Sequence, residues 1–195
     1  GEQKTKPTQH TVKELMGLGI TPDVLVCRSN KPLNDETRQK LSAFCHVRPE
    51  AVFSTHDVPN IYHVPLMLEE QGFCDILDID CDKTGLLAEW RAMAHRLDEL
   101  TEEVNIAMVG KYTDLSDAYL SVIKSLQHAA LAVERKLNID WIEASDLEDT
   151  NDAEAWGLLR NANGILVPGG FGDRGIEGKV LAAQYARENN VPYLG

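Results

Sequence analysis

Apolar residues along this chain fall into two patterns, short unbroken runs and helical spacings, and the two alternate. The first helical spacing covers residues 11–19, where Val12, Leu15 and Met16 share a face behind Thr11, a candidate N-cap, and Gly19 closes it. An unbroken apolar run at 23–27 then predicts a strand of the kind buried in a parallel sheet. Asn34 or Asp35 caps a second helix that reaches Cys45, residues 51–54 predict another strand, and a helix runs over 61–71 after Pro59. Residues 75–86, rich in Asp and carrying Lys83 and Gly85, predict a connector. An amphipathic helix over 87–100 follows, with Trp90, Met93, Ala94 and Leu97 on its apolar face.

The alternation then restarts. A strand at 104–109 ends in Gly110 and Lys111, a helix covers 116–131, and a strand lies at 139–142. A helix over 152–160 leads to a strand at 164–167, which breaks into Pro168, Gly169, Gly170, Phe171 and Gly172. A helix over 176–188 and a strand at 192–194 complete the pattern. Strands alternating with helices predict an α/β protein with helix-covered parallel sheets, here two partial αβ blocks meeting near residue 100. No internal repeat breaks the pattern, and the acidic run 148–152 is most simply a solvated loop.

Composition narrows the function classes. At 195 residues the chain is long enough for one compact domain or two small ones, and 43% hydrophobic with 26% charged residues excludes disorder and collagen-like repeats. A net charge of −12 sets nucleic acid and anionic membranes aside as partners, so a local basic cluster carries more information than it would in a basic protein. No apolar run approaches the ~20 residues of a membrane span, and the polar start is no signal peptide. Cys27, Cys45, Cys74 and Cys81 are irregularly spaced without a CxxC pair, which predicts reduced, buried thiols in a cytosolic protein. Gly1 stands inside a dense polar motif and the last residues read as a strand closing on glycine, so the sequence reads as a piece of something longer. Chemistry following Gly195 is expected to be missing rather than absent.

Three constellations can carry chemistry. Lys4, Thr5, Lys6, Pro7, Thr8 and Gln9 place two cations, two hydroxyls and an amide just ahead of a predicted helix N-terminus, a combination suited to a polyphosphate; the alternative is a solvated basic terminus. Cys27, Arg28 and Ser29 end one predicted strand, and His56, Asp57 and Val58 end the next, where open αβ sheets bind ligands. Arg28 serves equally as a structural ion-pair partner, and His56 as a plain turn residue. The third constellation is the glycine turn at 168–172 followed by Arg174 and Gly175, whose bare N–H groups can cradle an oxyanion or carboxylate. It is also simply a tight turn, and it matches neither GxxxxGK[ST] nor GxGxxG, which argues against triphosphate binding there.

KTKPTQH, CRS, FC, HDVPNIYHVPLMLEEQG, VGKYTDLSDAYLSVIKSL, ILVPGGFGDRGIEGK and ARENNVPYLG occur in that order, and together they closely resemble the CTP synthase family. The likeness thins at 75–100 and 143–160, where the chain is acidic. It implies a synthetase (amidoligase) domain that uses ATP and Mg2+ to phosphorylate the 4-oxygen of UTP. It further implies a class I glutamine amidotransferase domain that sends ammonia through an internal tunnel to displace that phosphate. By the same resemblance, residues 1–74 are the C-terminal part of a P-loop-like synthetase domain, 75–103 a linker with a helix, and 104–195 the N-terminal half of a flavodoxin-like amidotransferase domain.

The resemblance also assigns residues. Lys4, Thr5, Lys6, Pro7, Thr8 and Gln9, with Lys40, match the segment for UTP and the overlapping inhibitor CTP. Arg28, His56, Asp57 and Val58 match the neighbourhood of the ATP adenine. Gly169, Gly170 and Phe171 match the glutamine and oxyanion site, and Arg174 a position tied to activation by GTP. The nucleophilic cysteine is implied two residues beyond Gly195, its His and Glu further on, and the ATP phosphate loop and magnesium carboxylates before Gly1. No catalytic residue, resident metal or redox cofactor is thus assigned, the chain by itself is expected to be inactive, and the four cysteines are bystanders. His10, His46, His63, His95 and His128 are structural or solvated on this reading. A cytoplasmic homotetramer, with filaments, is the implied assembly. Two alternatives stay open: a non-catalytic nucleotide-binding or assembly module with the same fold, and an unrelated pair of flavodoxin-like domains. A continuation x-Cys-x-Gly after Gly195 favours the enzyme, and serine or alanine in place of that cysteine favours the module.

Overall fold

A computed structural model describes residues 3–80, 85–111, 116–170 and 172–195. The chain divides into two compact units, Gly1–Asp98 and Glu99–Gly195.

In the first unit, α1 spans Lys6–Gly17 and starts five residues ahead of the cap predicted at Thr11. Pro7 explains the difference: its fixed φ and missing N–H suit the first turn of a helix. The Thr11 hydroxyl donates to the Pro7 carbonyl one turn back at 3.1 Å, a bond of the helix interior. Lys6, Pro7, Thr8 and Gln9 therefore lie in α1 and not ahead of it. Strand β1 covers Leu25–Arg28, and α2 covers Asp35–Cys45. Asn34 caps α2 by accepting from the Thr37 N–H at 2.7 Å, with Asp35 and Glu36 complementing the positive end of the helix. Strand β2, Val52–Thr55, pairs with β1 in parallel from Leu25 opposite Val52 to Arg28 opposite Thr55.

Val12, Leu25, Leu41, Cys45, Val47 and Val52 form the core between these elements. The strand expected to be buried throughout is buried at Leu25, 8% exposed, and open at Val26, 50% exposed, although Phe53 beside Val26 on β2 is fully buried against Phe73. Helices α3 (His63–Glu70), α4 (Phe73–Ile76) and α5 (Leu86–Glu99) follow. Gln71 clamps β2 at both backbone polar groups of Ser54, accepting from its N–H at 2.8 Å and donating to its carbonyl at 2.9 Å. Arg91 of α5 reaches Glu69 and Glu70 of α3 at 3.1 and 3.3 Å. The expectation of four reduced thiols fails at Cys74, which is disulfide-bonded, while Cys27 and Cys45 are free and Cys81 lies outside the described residues. A disulfide needs two Cα atoms within about 7 Å, a condition met by folding and invisible in sequence spacing.

The second unit is a four-stranded sheet of β3 (Glu103–Gly110), β4 (Lys136–Glu143), β5 (Gly164–Leu166) and β6 (Tyr193–Leu194). All pairings are parallel and the order is β4-β3-β5-β6, or 2-1-3-4 counted within the unit. The crossovers carry α6 (Leu120–Ala132), α7 (Ala153–Asn161) and α8 (Ile176–Asn189). Ala107, Met108 and Val109 of the central β3 are fully buried. The core continues through Ile142, Leu147, Leu159, Ile165 and Ala182. Strand β4 is longer than the predicted 139–142 because polar cross-strand pairs extend it: Lys136 Nζ lies 3.0 Å from Glu103 Oε1, and the Asn138 amide donates to Glu103 and Asn105. Nor is the acidic run 148–152 only a solvated loop. Asp152 caps α7, accepting from the N–H groups of Glu154 and Ala155 at 3.0 Å each.

Helix α8 lies directly on the 3-10 turn Ala144–Glu148 that follows β4. A Cβ on Gly178 would stand 1.6 Å from the Ala144 carbonyl oxygen. Gly178→Ala is therefore expected to cost about 3 kcal/mol or more of stability. Gly157→Ala in α7, where no atom lies within 4 Å of the new methyl, is expected to be neutral or to stabilise by up to about 1 kcal/mol. Urea midpoints of the two variants check both values.

Candidate functional site

Two candidate sites stand in the first unit. A cavity of about 340 Å³ is lined by Gln3, Thr5, Lys31, Asn34, Thr37 and Lys40, with Pro32 and Glu36 completing it. The α2 cap places the N-terminal N–H groups of that helix beside it, Thr37 is buried in its first turn, and Lys40 projects one turn further along. Gln3 ties the wall together: its amide donates to the Pro32 carbonyl at 2.8 Å and its oxygen accepts from the Asn34 N–H at 3.2 Å. Thr5 is buried, its hydroxyl oxygen accepting from the Gln9 amide at 3.0 Å. Two ammonium groups, buried hydroxyls and a helix N-terminus are donors that suit a phosphorylated ligand, and Glu36 opposes them locally.

Of the residues expected here from sequence, Thr5 and Lys40 line the cavity together. Lys4, Lys6 and Pro7 are exposed and outside its lining, as are the half-buried Thr8 and Gln9. Gln3, Lys31 and Thr37 were not singled out from the sequence. Lys31 follows a strand end by three residues, a signal that was available; Thr37 carried none, being an ordinary polar residue in a helix first turn.

At the strand ends, Arg28 is ion-paired with Asp57 and donates to the Ser29 carbonyl, with both charged side chains exposed. An exposed pair of this kind contributes about 0–1 kcal/mol. His56 and Val58 line a second cavity, of about 210 Å³, with Pro59, Leu66, Met67 and Arg91 among its walls. Arg28 and Asp57 do not line that cavity, so the four residues are divided between an ion pair and a pocket.

The second unit has a switch point in its strand order. In a doubly wound sheet, ligands bind beyond the carboxyl ends of the strands where the strand order reverses, here between β3 and β5. Lys111, directly after β3, is buried and its Nζ donates to the Gly172 carbonyl at 3.0 Å, tying the glycine turn to the end of β3. Tyr119 donates to the Lys111 carbonyl at 2.6 Å. Gly169 and Gly170 follow β5 with open space where their side chains would be, apart from Lys179 Nζ 3.7 Å from a Cβ on Gly170. Positive φ falls on Gly172 (83°) and Gly175 (74°), so the turn needs glycine at those two positions for its backbone. Phe171 lies outside the described residues. Arg174 is engaged with Glu143 at the end of β4, Nη2 to Oε1 at 3.1 Å, and its side chain is otherwise open to solvent.

The free thiols are poorly placed for nucleophilic work. Cys45 is fully buried, and burial pushes its pKa up. Cys27 is also raised, by burial first and by neighbouring Cys45 second, against an opposing effect of Arg38. No helix among the described residues is long and apolar enough to cross a membrane.

The parallel sheet with a glycine turn at its switch point places the second unit in the class of doubly wound αβ domains, and residues 114–195 match the family model described as glutamine amidotransferase class-I. Residues 1–80 match the model described as CTP synthase N-terminus. Over its whole length the chain is 50% identical to CTP synthase of Dictyostelium discoideum and 50% identical to CTP synthase 1 of Homo sapiens. The chain belongs to the CTP synthase family. It spans 38% and 35% of the length of those two relatives. The solved glutaminase domain of Trypanosoma brucei CTPS with bound acivicin aligns with 46% of this chain and 34% of that one, at 47% identity and a TM-score of 0.43.

With thiolate character suppressed, Cys27 and Cys45 are expected to react with iodoacetamide at neutral pH more than about tenfold slower than an unstructured cysteine peptide. Peptide mapping of the alkylated native protein measures both rates.

Proposed function

We propose that this chain is part of an enzyme that aminates UTP to CTP at the expense of ATP, with ammonia drawn from glutamine. The observation that carries the reading is the convergence of Thr5 and Lys40, from separate segments, on one polar cavity at a helix N-terminus. In this reading the cavity holds the nucleotide phosphates: Lys40 and Lys31 supply charge, while the Thr5 and Thr37 hydroxyls and the α2 N–H groups supply oriented donors. UTP as substrate and CTP as feedback inhibitor share it. Lys4, Lys6, Pro7, Thr8 and Gln9 flank it on α1 and the segment ahead, the two lysines adding to the local positive field.

MgATP is the second substrate, its adenine assigned to the neighbourhood of Arg28, His56, Asp57 and Val58. The His56 and Val58 cavity offers the apolar wall, and the Arg28–Asp57 pair the polar edge. Glutamine is assigned to the Gly169 and Gly170 turn, with Phe171 beside it. There, backbone N–H groups unobstructed by side chains can face the oxyanion formed during acyl transfer. Arg174 is the proposed contact for the activator GTP, which would have to compete with Glu143 for the guanidinium. The domains are assigned as a synthetase part over 1–74, a linker over 75–103 and an amidotransferase part over 104–195. A cytoplasmic homotetramer able to form filaments completes the reading.

Lys40→Ala in the full-length protein is expected to weaken UTP and CTP binding together by about tenfold to a hundredfold, the worth of one charge-assisted phosphate contact. Isothermal titration with each nucleotide checks this, and unchanged CTP binding rejects the assignment. Because a side chain at Gly170 meets only the flexible Lys179 ammonium, Gly170→Val is expected to leave the fold intact. It should abolish glutamine-dependent synthesis and spare synthesis from added ammonia; loss of both activities means that Gly170 acts through the fold.

A further inference from the structure

None of His63, His95 and Asp98 is among the residues assigned a ligand above, although the two histidines line the cavity proposed for adenine, and the three side chains meet. His63 opens α3, and His95 and Asp98 lie one turn apart in the last turn of α5. One ligand-type atom from each of the three falls within 4.8 Å of the others. His63 Nε2 is 2.6 Å from Asp98 Oδ2, and the two imidazole rings meet edge to face with centroids 5.1 Å apart. We propose that His63, His95 and Asp98 form a binding site for a divalent transition-metal ion of the zinc class.

Four features support the site. The donor set is two imidazoles and one carboxylate, which is the chemistry of zinc, cobalt or nickel; magnesium prefers an octahedral shell of oxygens. The carboxylate is oriented from behind: the Asn60 amide donates to Asp98 Oδ1 at 2.6 Å and to the Ala94 carbonyl at 3.1 Å, leaving Oδ2 to face the imidazoles. The last turn of α5 presents the negative end of the helix dipole, which favours a cation and disfavours an unpaired Asp98 carboxylate. His63 and His95 also line the 210 Å³ cavity proposed above for adenine, so a fourth coordination position would open into that cavity.

Two ligands on a tetrahedral ion with bonds of about 2.0–2.1 Å lie about 3.3 Å apart, so the His63–Asp98 contact would open by less than about 1 Å as the proton between them leaves, and His95, whose ligand atom lies within 4.8 Å of the others, would close in by up to about 1.5 Å. The ion would then join the start of α3 to the end of α5 within the first unit, a clip between helices that shares no residue with the Thr5 and Lys40 cavity.

The test is a Co2+ titration of chelator-treated full-length protein with excess Mg2+ present. One Co2+ per chain is expected, with visible d–d absorption and no thiolate-to-cobalt charge-transfer band. His95→Gln and Asp98→Asn, at exposed positions that the fold tolerates, are each expected to weaken binding by about tenfold or more, and His10→Gln to leave it unchanged. Zn2+ should raise the melting temperature of the unsubstituted protein and not that of His95→Gln. Absence of Co2+ binding, or binding unaffected by either His95→Gln or Asp98→Asn, overturns the proposal and leaves a hydrogen-bonded His–Asp pair.

Discussion

Parallel strand pairing is the constraint on which both units depend. A parallel pair cannot be closed by a tight turn, so each strand must be followed by a crossover long enough to return the chain to the same edge, and here the crossovers are helices. That requirement sets the alternation of elements and points every strand the same way. It also brings the chemically equipped loops to one end of each sheet. Arg28, His56 and Asp57 lie at the carboxyl ends of β1 and β2, and Lys111 and the glycine turn at those of β3 and β5. The interiors then belong to small and branched apolar residues, Ala107 and Val109 in one unit and Val52 and Leu41 in the other.

Within that frame, close backbone approach does the positioning in the second unit. Gly178 lets α8 rest against the Ala144 carbonyl, and Gly175 turns into the helix with positive φ beside Ala144. Lys111 then ties the glycine turn to the end of β3. That contact holds the turn through a backbone carbonyl, and Gly169 and Gly170 place no side chain over their own N–H groups. In the first unit the equivalent work falls to polar side chains: Gln3 bridges two backbone segments, Asn34 caps α2, and Gln71 clamps β2. Against a net charge of −12, the pairing of Lys31 with Lys40 beside a helix N-terminus is a local reversal of sign, a feature expected of a phosphate site in an otherwise acidic protein.

Element type was legible in the sequence because burial imposes a period. The helix after Asn34, the strands near 52, 106 and 165, and the helix capped by Asp152 all stand where apolar spacing and caps place them. Boundaries were less legible where polar pairing or proline geometry sets them, as at Lys136 to Asn138 and at Pro7. Half of the candidate nucleotide site was legible too, since Thr5 sits in a motif basic for so acidic a chain and Lys40 is assigned by the family resemblance. Thr37 and Gln3 were not, because a single polar residue carries no periodic signal and becomes informative only through what folds against it.

The sequence by itself determined the α/β class, the order of strands and helices, the family, and the glycine turn, since each is written in short-range pattern or in motifs a few residues long. Only the tertiary structure decided which of the motif residues share a cavity, that Arg28 and Asp57 pair with each other, that Cys74 is disulfide-bonded, and that His63 meets His95 and Asp98. The physical reason is one of range. Apolar periodicity and caps act over one or two turns of chain, whereas side-chain chemistry acts over a few ångströms of space, and the chain brings residues far apart in sequence within that distance only by folding.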